Sequence, residues 1–198
     1  MKRVILTILI AIAFSAFAAA DPITFTLDPT SGNVKGNPGD VVGWGFTITN
    51  TTANWIELTQ SEFDPTAGSD PGVGDGTNYT DFLSSPPFNF YIADPGSTIS
   101  AAFDPNSMSG LGDFLINPTA QPGSNAHGNI VVTYSVFTDD PNVDPSSQVF
   151  PDQTVSAPAM VSVPESSSLS LLIGALFLPI MFAGWRRRRR GVLKESRA

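Results

Sequence analysis

Val42-Gly43-Trp44-Gly45-Phe46-Thr47-Ile48-Thr49 is the stretch that decides the fold class. Large apolar side chains at 42, 44, 46 and 48 alternate with Gly or Thr at 43, 45, 47 and 49. A two-residue period puts the apolar set on one face of a strand. Asn50 to Asn54, rich in Asn and Thr, reads as a turn. Ile56 and Leu58 then resume the alternation against Glu57 and Thr59, which predicts a hairpin. A second alternating set, Ile130, Val132, Tyr134 and Val136, predicts another long strand. Shorter strands are expected at 23–27, 88–92, 98–103, 114–116 and 159–163.

Turn signals fill the intervals. Asp-Pro recurs at Asp21, Asp28, Asp64, Asp70, Asp94, Asp104, Asp140 and Asp144. Proline fixes φ and supplies no donor, so these dipeptides mark strand ends and turns. Several short strands with frequent turns and no helical period predict an all-β, antiparallel β-sandwich over residues 21–157. The run Gly39-Asp40-Val41-Val42-x-Trp44-x-Phe46-x-Ile48-Thr49-Asn50 resembles an early hairpin of immunoglobulin-like bacterial surface domains. That resemblance implies a fold and no activity.

Charge is segregated along the chain. Residues 21–162 hold sixteen acids against a single base, Lys35, a net of −15, while the other nine bases lie near the two ends. Such a body lacks the cations needed to neutralise phosphate, which argues against nucleic-acid binding. It also argues against self-association through charge. The chain has no cysteine, so disulfides and thiolate chemistry are excluded and burial alone must hold the body together.

Candidate chemistry within the body is sparse. Asp64, Asp70, Asp75, Asn78 and Asp81 lie on or beside the Gly-rich stretch 68–78, and oxygen ligands on such a loop suit calcium. Their spacing is not that of an EF-hand, and a solvated acidic loop is the competing reading. No other metal or cofactor is expected. His127, the single histidine, reads as a turn residue. No Gly-x-Ser-x-Gly elbow accompanies it, and one His without Cys makes no zinc site. Glu57 reads as the polar side of a strand, and with Glu62 it completes the body's glutamates; any two of the sixteen acids could converge as a glycosidase pair, so a secreted hydrolase stays open as a third reading. Trp55 is the candidate for stacking on a sugar, with rim packing as the alternative. Asn50 and Asn78 open N-glycosylation sequons by pattern, to which no role is attached. The chain is therefore read as non-enzymatic.

The ends describe export. Lys2-Arg3, an apolar run from Val4 to Phe17, and Ala18-Ala19-Ala20 form a secretory signal peptide over residues 1–20. Cleavage is expected between Ala20 and Asp21, with Ala18 and Ala20 as the small residues at the −3 and −1 sites. Residues 158–168 read as a linker carrying Val163-Pro164-Glu165. Residues 169–185 form one transmembrane helix of roughly 26 Å, with Trp185 as an interfacial aromatic. Arg186, Arg187, Arg188, Arg189 and Arg190 then stop transfer and open a basic cytoplasmic tail over 186–198.

This order of signature, span and arginines resembles the PEP-CTERM sorting signal, the tag of exosortase substrates in Gram-negative bacteria. Val163, Pro164 and Glu165 match the first three signature positions, and Ser166 stands where a second proline is usual. The resemblance covers about residues 163–190. It implies partners in the secretion translocon and an exosortase that cuts near Pro164-Glu165. It further implies transient residence in the inner membrane, then delivery to the cell surface or to an extracellular, biofilm-type exopolysaccharide matrix. The alternative is a carbohydrate- or calcium-binding module that stays anchored as a single-pass inner-membrane protein facing the periplasm.

Overall fold

A computed structural model describes residues 23–86, 88 and 90–165. The predicted signal peptide, transmembrane helix and basic tail lie outside the described residues. Among those described, no helix is long and apolar enough to cross a membrane.

The described chain is all β. Its strands are β1 (Ile23–Asp28), β2 (Asn33–Lys35), β3 (Val41–Asn50), β4 (Trp55–Pro65), β5 (Tyr79–Asp81), β6 (Tyr91–Ala93), β7 (Thr98–Ala101), β8 (Gly112–Leu115), β9 (Asn125–Phe137) and β10 (Gln148–Ser162). They form two sheets. One has the order β1-β3-β8-β5, with β7 also on β3; the other runs β2-β10-β9-β4-β6. All pairs are antiparallel except β2 with β10, which run parallel. The wholly antiparallel sandwich expected from the sequence is corrected on that one pair.

The two alternating stretches behave as read. Trp44, Phe46 and Ile48 of β3 and Ile130, Val132 and Tyr134 of β9 are buried between the sheets. Trp44 stacks on Phe63 at 6.0 Å, and Phe63 meets Phe114 edge-on at 5.2 Å. The indole Nε1–H donates to the Gly32 carbonyl at 2.8 Å, so the one polar atom of this ring is satisfied inside the core. The glycines of β3 have a separate cause. A Cβ at Gly43 would overlap the Phe103 ring and the Gly112 carbonyl, and one at Gly45 would reach the Ala101 carbonyl at 2.5 Å. At Gly43 and Gly45 the outer face of β3 is covered by the 101–112 segment.

The predicted hairpin between β3 and β4 does not form. β3 pairs with β1, β7 and β8, while β4 pairs with β6 and β9 in the other sheet. Residues 50–54 form an arch from sheet to sheet, built on Asn50. That side chain is fully buried. Its Nδ2 donates towards Asn54 O at 2.7 Å, Asp94 O at 3.0 Å and Ala93 O at 3.1 Å. Its Oδ1 accepts from the Thr52 amide at 3.0 Å and hydroxyl at 2.7 Å. A side chain that hydrogen-bonds to five main-chain and hydroxyl partners lets the chain turn through the core without dry polar atoms.

β4 also continues further than the alternation suggests. A register shift between Leu58 and Gln60 flips the phase, so Ser61 and Phe63 face inward after Ile56 and Leu58. A bulge of this kind is invisible to a strict two-residue count. The body likewise extends beyond residue 157, in line with the strand expected at 159–163. β10 runs to Ser162, and Ala159, Val161 and Val163 belong to the core. The linker predicted over 158–168 therefore begins no earlier than Pro164.

Candidate functional site: the carboxy-terminal exit

The signature leaves the sandwich at the end of β10. Pairing with the segment before β9 continues one residue past the strand. Val163 N–H donates to Ser124 O at 3.0 Å, and Gly123 N–H donates to Val163 O at 2.9 Å. On the other side, Gly36 N–H donates to Ser162 O at 3.2 Å, and Ser162 Oγ lies 2.9 Å from Asn33 Oδ1. Val163 is 3% exposed, whereas Pro164 and Glu165 are exposed. Proline has no N–H, so the ladder cannot continue through it. The signature is thus divided: its first residue closes the core and the next two stand at the surface. The expectation that the signature lies wholly in a linker is corrected at Val163.

Gly123 and Ser124 had no sequence signal beyond a Pro-Gly turn. Gly123 has φ +83°, and a Cβ there would stand 3.2 Å from Glu165 Cγ. The left-handed turn and the Glu165 side chain packed close above it are both reasons for glycine. Ser124 Oγ donates to Gln121 O at 2.5 Å and closes the same turn.

The acids expected to hold calcium are not brought together. Among the described residues no three His, Cys, Asp or Glu side chains converge as a metal site. Their carboxylates cap turns instead. Asp70 accepts from Gly72 N–H at 2.8 Å, and Asp75 from Thr77 N–H at 2.8 Å. Asp81 accepts from Leu83 N–H at 2.8 Å and lies 2.7 Å from Ser61 Oγ. Asn78 Nδ2 donates to Leu115 O at 2.9 Å. Asp64 is an exposed residue of β4. The stretch 68–78 is pinned by Val73, which is fully buried and whose carbonyl accepts from Asn117 N–H at 2.9 Å.

The same capping recurs at Asp104, Asp140 and Asp144, each accepting from the amide two residues on. After an Asp-Pro, the next free donor is that amide, and a carboxylate reaches it easily. Hydrogen bonds from the Thr77 hydroxyl and amide hold Asp75 below the ordinary carboxylate pKa. The Asn106 amide and Ser107 hydroxyl do the same for Asp104. Six of the body's sixteen acids are thus turn punctuation.

His127 is an exposed residue of β9, opposite Met160, and not in a turn. Its carbonyl accepts from Thr66 N–H at 2.9 Å. Glu57 lies on β4 with its pKa raised by partial burial, and Glu62 is exposed on the same strand. Tyr79 donates to Ser61 Oγ at 3.0 Å, and burial pushes its phenol up. Trp55 is half-buried at the start of β4, opposite Phe137. The more exposed aromatic residues are Phe88, Phe90 and Phe150. Phe90 and Tyr91 line a shallow cleft of about 270 Å³ with Ser107, Met108 and Ser109.

No family model matches the chain, and no curated protein matches it. Solved structures do. The SafA pilin of Salmonella enterica, in complex with the SafB chaperone, is 8% identical at TM-score 0.37, over 73% of this chain and 55% of that one. AggA, the major subunit of aggregative adherence fimbriae type I of Escherichia coli, is 10% identical at TM-score 0.34, over 72% and 94%. CaCohA2 of Clostridium acetobutylicum is 19% identical at TM-score 0.29, over 73% and 92%. Likeness at this level carries no functional information.

Proposed function

We propose that the chain is an exported, non-enzymatic surface or matrix protein whose body is delivered by an exosortase acting at Pro164-Glu165. The observation that carries this reading is where the core ends. Val163 is the last buried residue described, and the next two are at the surface. A cut there, beyond Val163, releases a body that keeps every core residue described. The tail then works as an address removed on delivery, with the five arginines holding the chain in place until processing. Association with exopolysaccharide follows from the resemblance of the tail. A body whose carboxylates cap its own turns fits a structural role better than a catalytic one.

Fractionation of the host, with an intact mass of the mature protein, tests the proposal. The expected mass begins at Asp21, ends within 163–165 and is found at the surface or in the medium. A mature mass that includes the arginines would refute it.

A further inference from the structure

The first residue of the signature is committed to the fold. An enzyme that reads Val163-Pro164-Glu165 as an extended segment needs the Val163 side chain, N–H and C=O. All three are engaged: the side chain in the core, the N–H with Ser124 O, the C=O with Gly123 N–H. Resting on the reading that the tail is a sorting signal, we propose that folding of the body gates access to its own signature. Gly123 and Ser124 are the positioning residues that hold the gate closed.

Two further features fit this role. The preceding residue is held from the opposite side, by Gly36 N–H on Ser162 O and by Ser162 Oγ beside Asn33 Oδ1 and Val34 O. Pro164 ends the ladder at Val163, so opening requires only the tip of β10 to lift and not global unfolding. An unfolded body emerging from export presents the whole signature, and a folded one presents Pro164 and Glu165 alone. Gly123 has two tasks: its amide holds Val163, and its missing Cβ leaves room for Glu165. A side chain there presses on the exit while leaving the signature's own residues unchanged.

The test uses the full chain in detergent and glutamyl endopeptidase, which must draw Val163 and Pro164 into its cleft to cut after Glu165. Glu195, in the basic tail, is the internal reference. Cleavage after Glu165 is expected to be about tenfold or more slower than after Glu195, as when seated hydrogen bonds must first open. Gly123→Val should raise the Glu165 rate about tenfold and leave the Glu195 rate unchanged. Ser162→Ala should act in the same direction with smaller effect. Equal rates at the two sites in the wild type, or no response to either variant, overturn the gate. If Gly123→Val unfolds the body, Glu57 and Glu62 are cut as well. Hydrogen exchange of the wild type then decides, because Gly123 and Val163 amides that exchange as fast as exposed loops also overturn it. Either failure leaves the mature mass in the host unaffected, so it is distinguishable from failure of the sorting proposal.

Discussion

Asn50→Ala should cost this protein about 3 kcal/mol. The side chain is fully buried and spans the arch between the sheets. Its two N–H groups serve three carbonyls at 2.7, 3.0 and 3.1 Å. Ala93, which carries one of them, is itself fully buried, so that acceptor is left dry, at roughly 1–3 kcal/mol. The other two acceptors are partly buried and recover water in part, each losing roughly 0.5–1 kcal/mol. For a domain of this size the sum lowers Tm by about 6–12 °C. Thermal unfolding by circular dichroism, with urea titration for ΔG, is the assay. Asn50→Asp sharpens the test. A carboxylate keeps the bonds from Thr52 but cannot donate, and it faces three carbonyl oxygens in a dry site, so its folded pKa must lie above its unfolded one. For a raised pKa the stability is present below the unfolded value and is lost as pH rises through the folded value. The Asp variant should therefore approach the wild type in acid and fall away towards neutral pH. A loss under about 1 kcal/mol for Asn50→Ala, or a pH-independent Asp variant, would refute the assignment of the arch to this side chain.

Other outcomes follow from the same geometry. Trp44→Phe removes the donor to Gly32 O and leaves space beside Phe63; urea titration should show a loss of about 2–3 kcal/mol. Glu57 has a raised pKa, so its favourable share is present in acid and lost as pH rises through the folded value. Glu57→Gln should accordingly flatten the stability–pH curve on that limb, as followed by Tm against pH. Asp75 and Asp104 have lowered values and act with the opposite sign. Their contribution is present above the unfolded pKa and lost as pH falls through the folded one, so the double Asp→Asn variant should show a shallower acid decline. Millimolar calcium should leave Tm unchanged, because the loop acids are turned to neighbouring amides; a calcium-dependent rise in Tm would overturn that placement.

The strands that could be read in advance were those whose period was uninterrupted. β3 and β9 alternate cleanly, and their inward residues are the core. β4 was legible only as far as Leu58, because the bulge before Gln60 reverses which residues face inward. β2 and β5, three residues each, are too short to carry a period. The Asp-Pro dipeptides were legible as turns because proline removes a donor locally. Their carboxylates read equally well as cation ligands, since composition does not say which way an oxygen points. The turn at 50–54 was legible as a turn, but its partner strands were not. A hairpin and an arch have similar local sequences and differ in where the second strand finds its hydrogen bonds.

By itself, then, the chain's sequence determined the β class, the turn positions, the acidic and cysteine-free body, and the succession of Val163-Pro164-Glu165, apolar run and five arginines along its tail. These rest on local chemistry: side-chain period, proline geometry, charge and apolar length. Only the tertiary structure decided that β3 and β4 belong to different sheets, that the acids cap turns, and that Val163 belongs to the core. Each of those depends on contacts between residues far apart in the chain, such as Val163 with Gly123 and Ser124. Strand pairing and burial create such contacts, and no local pattern encodes them.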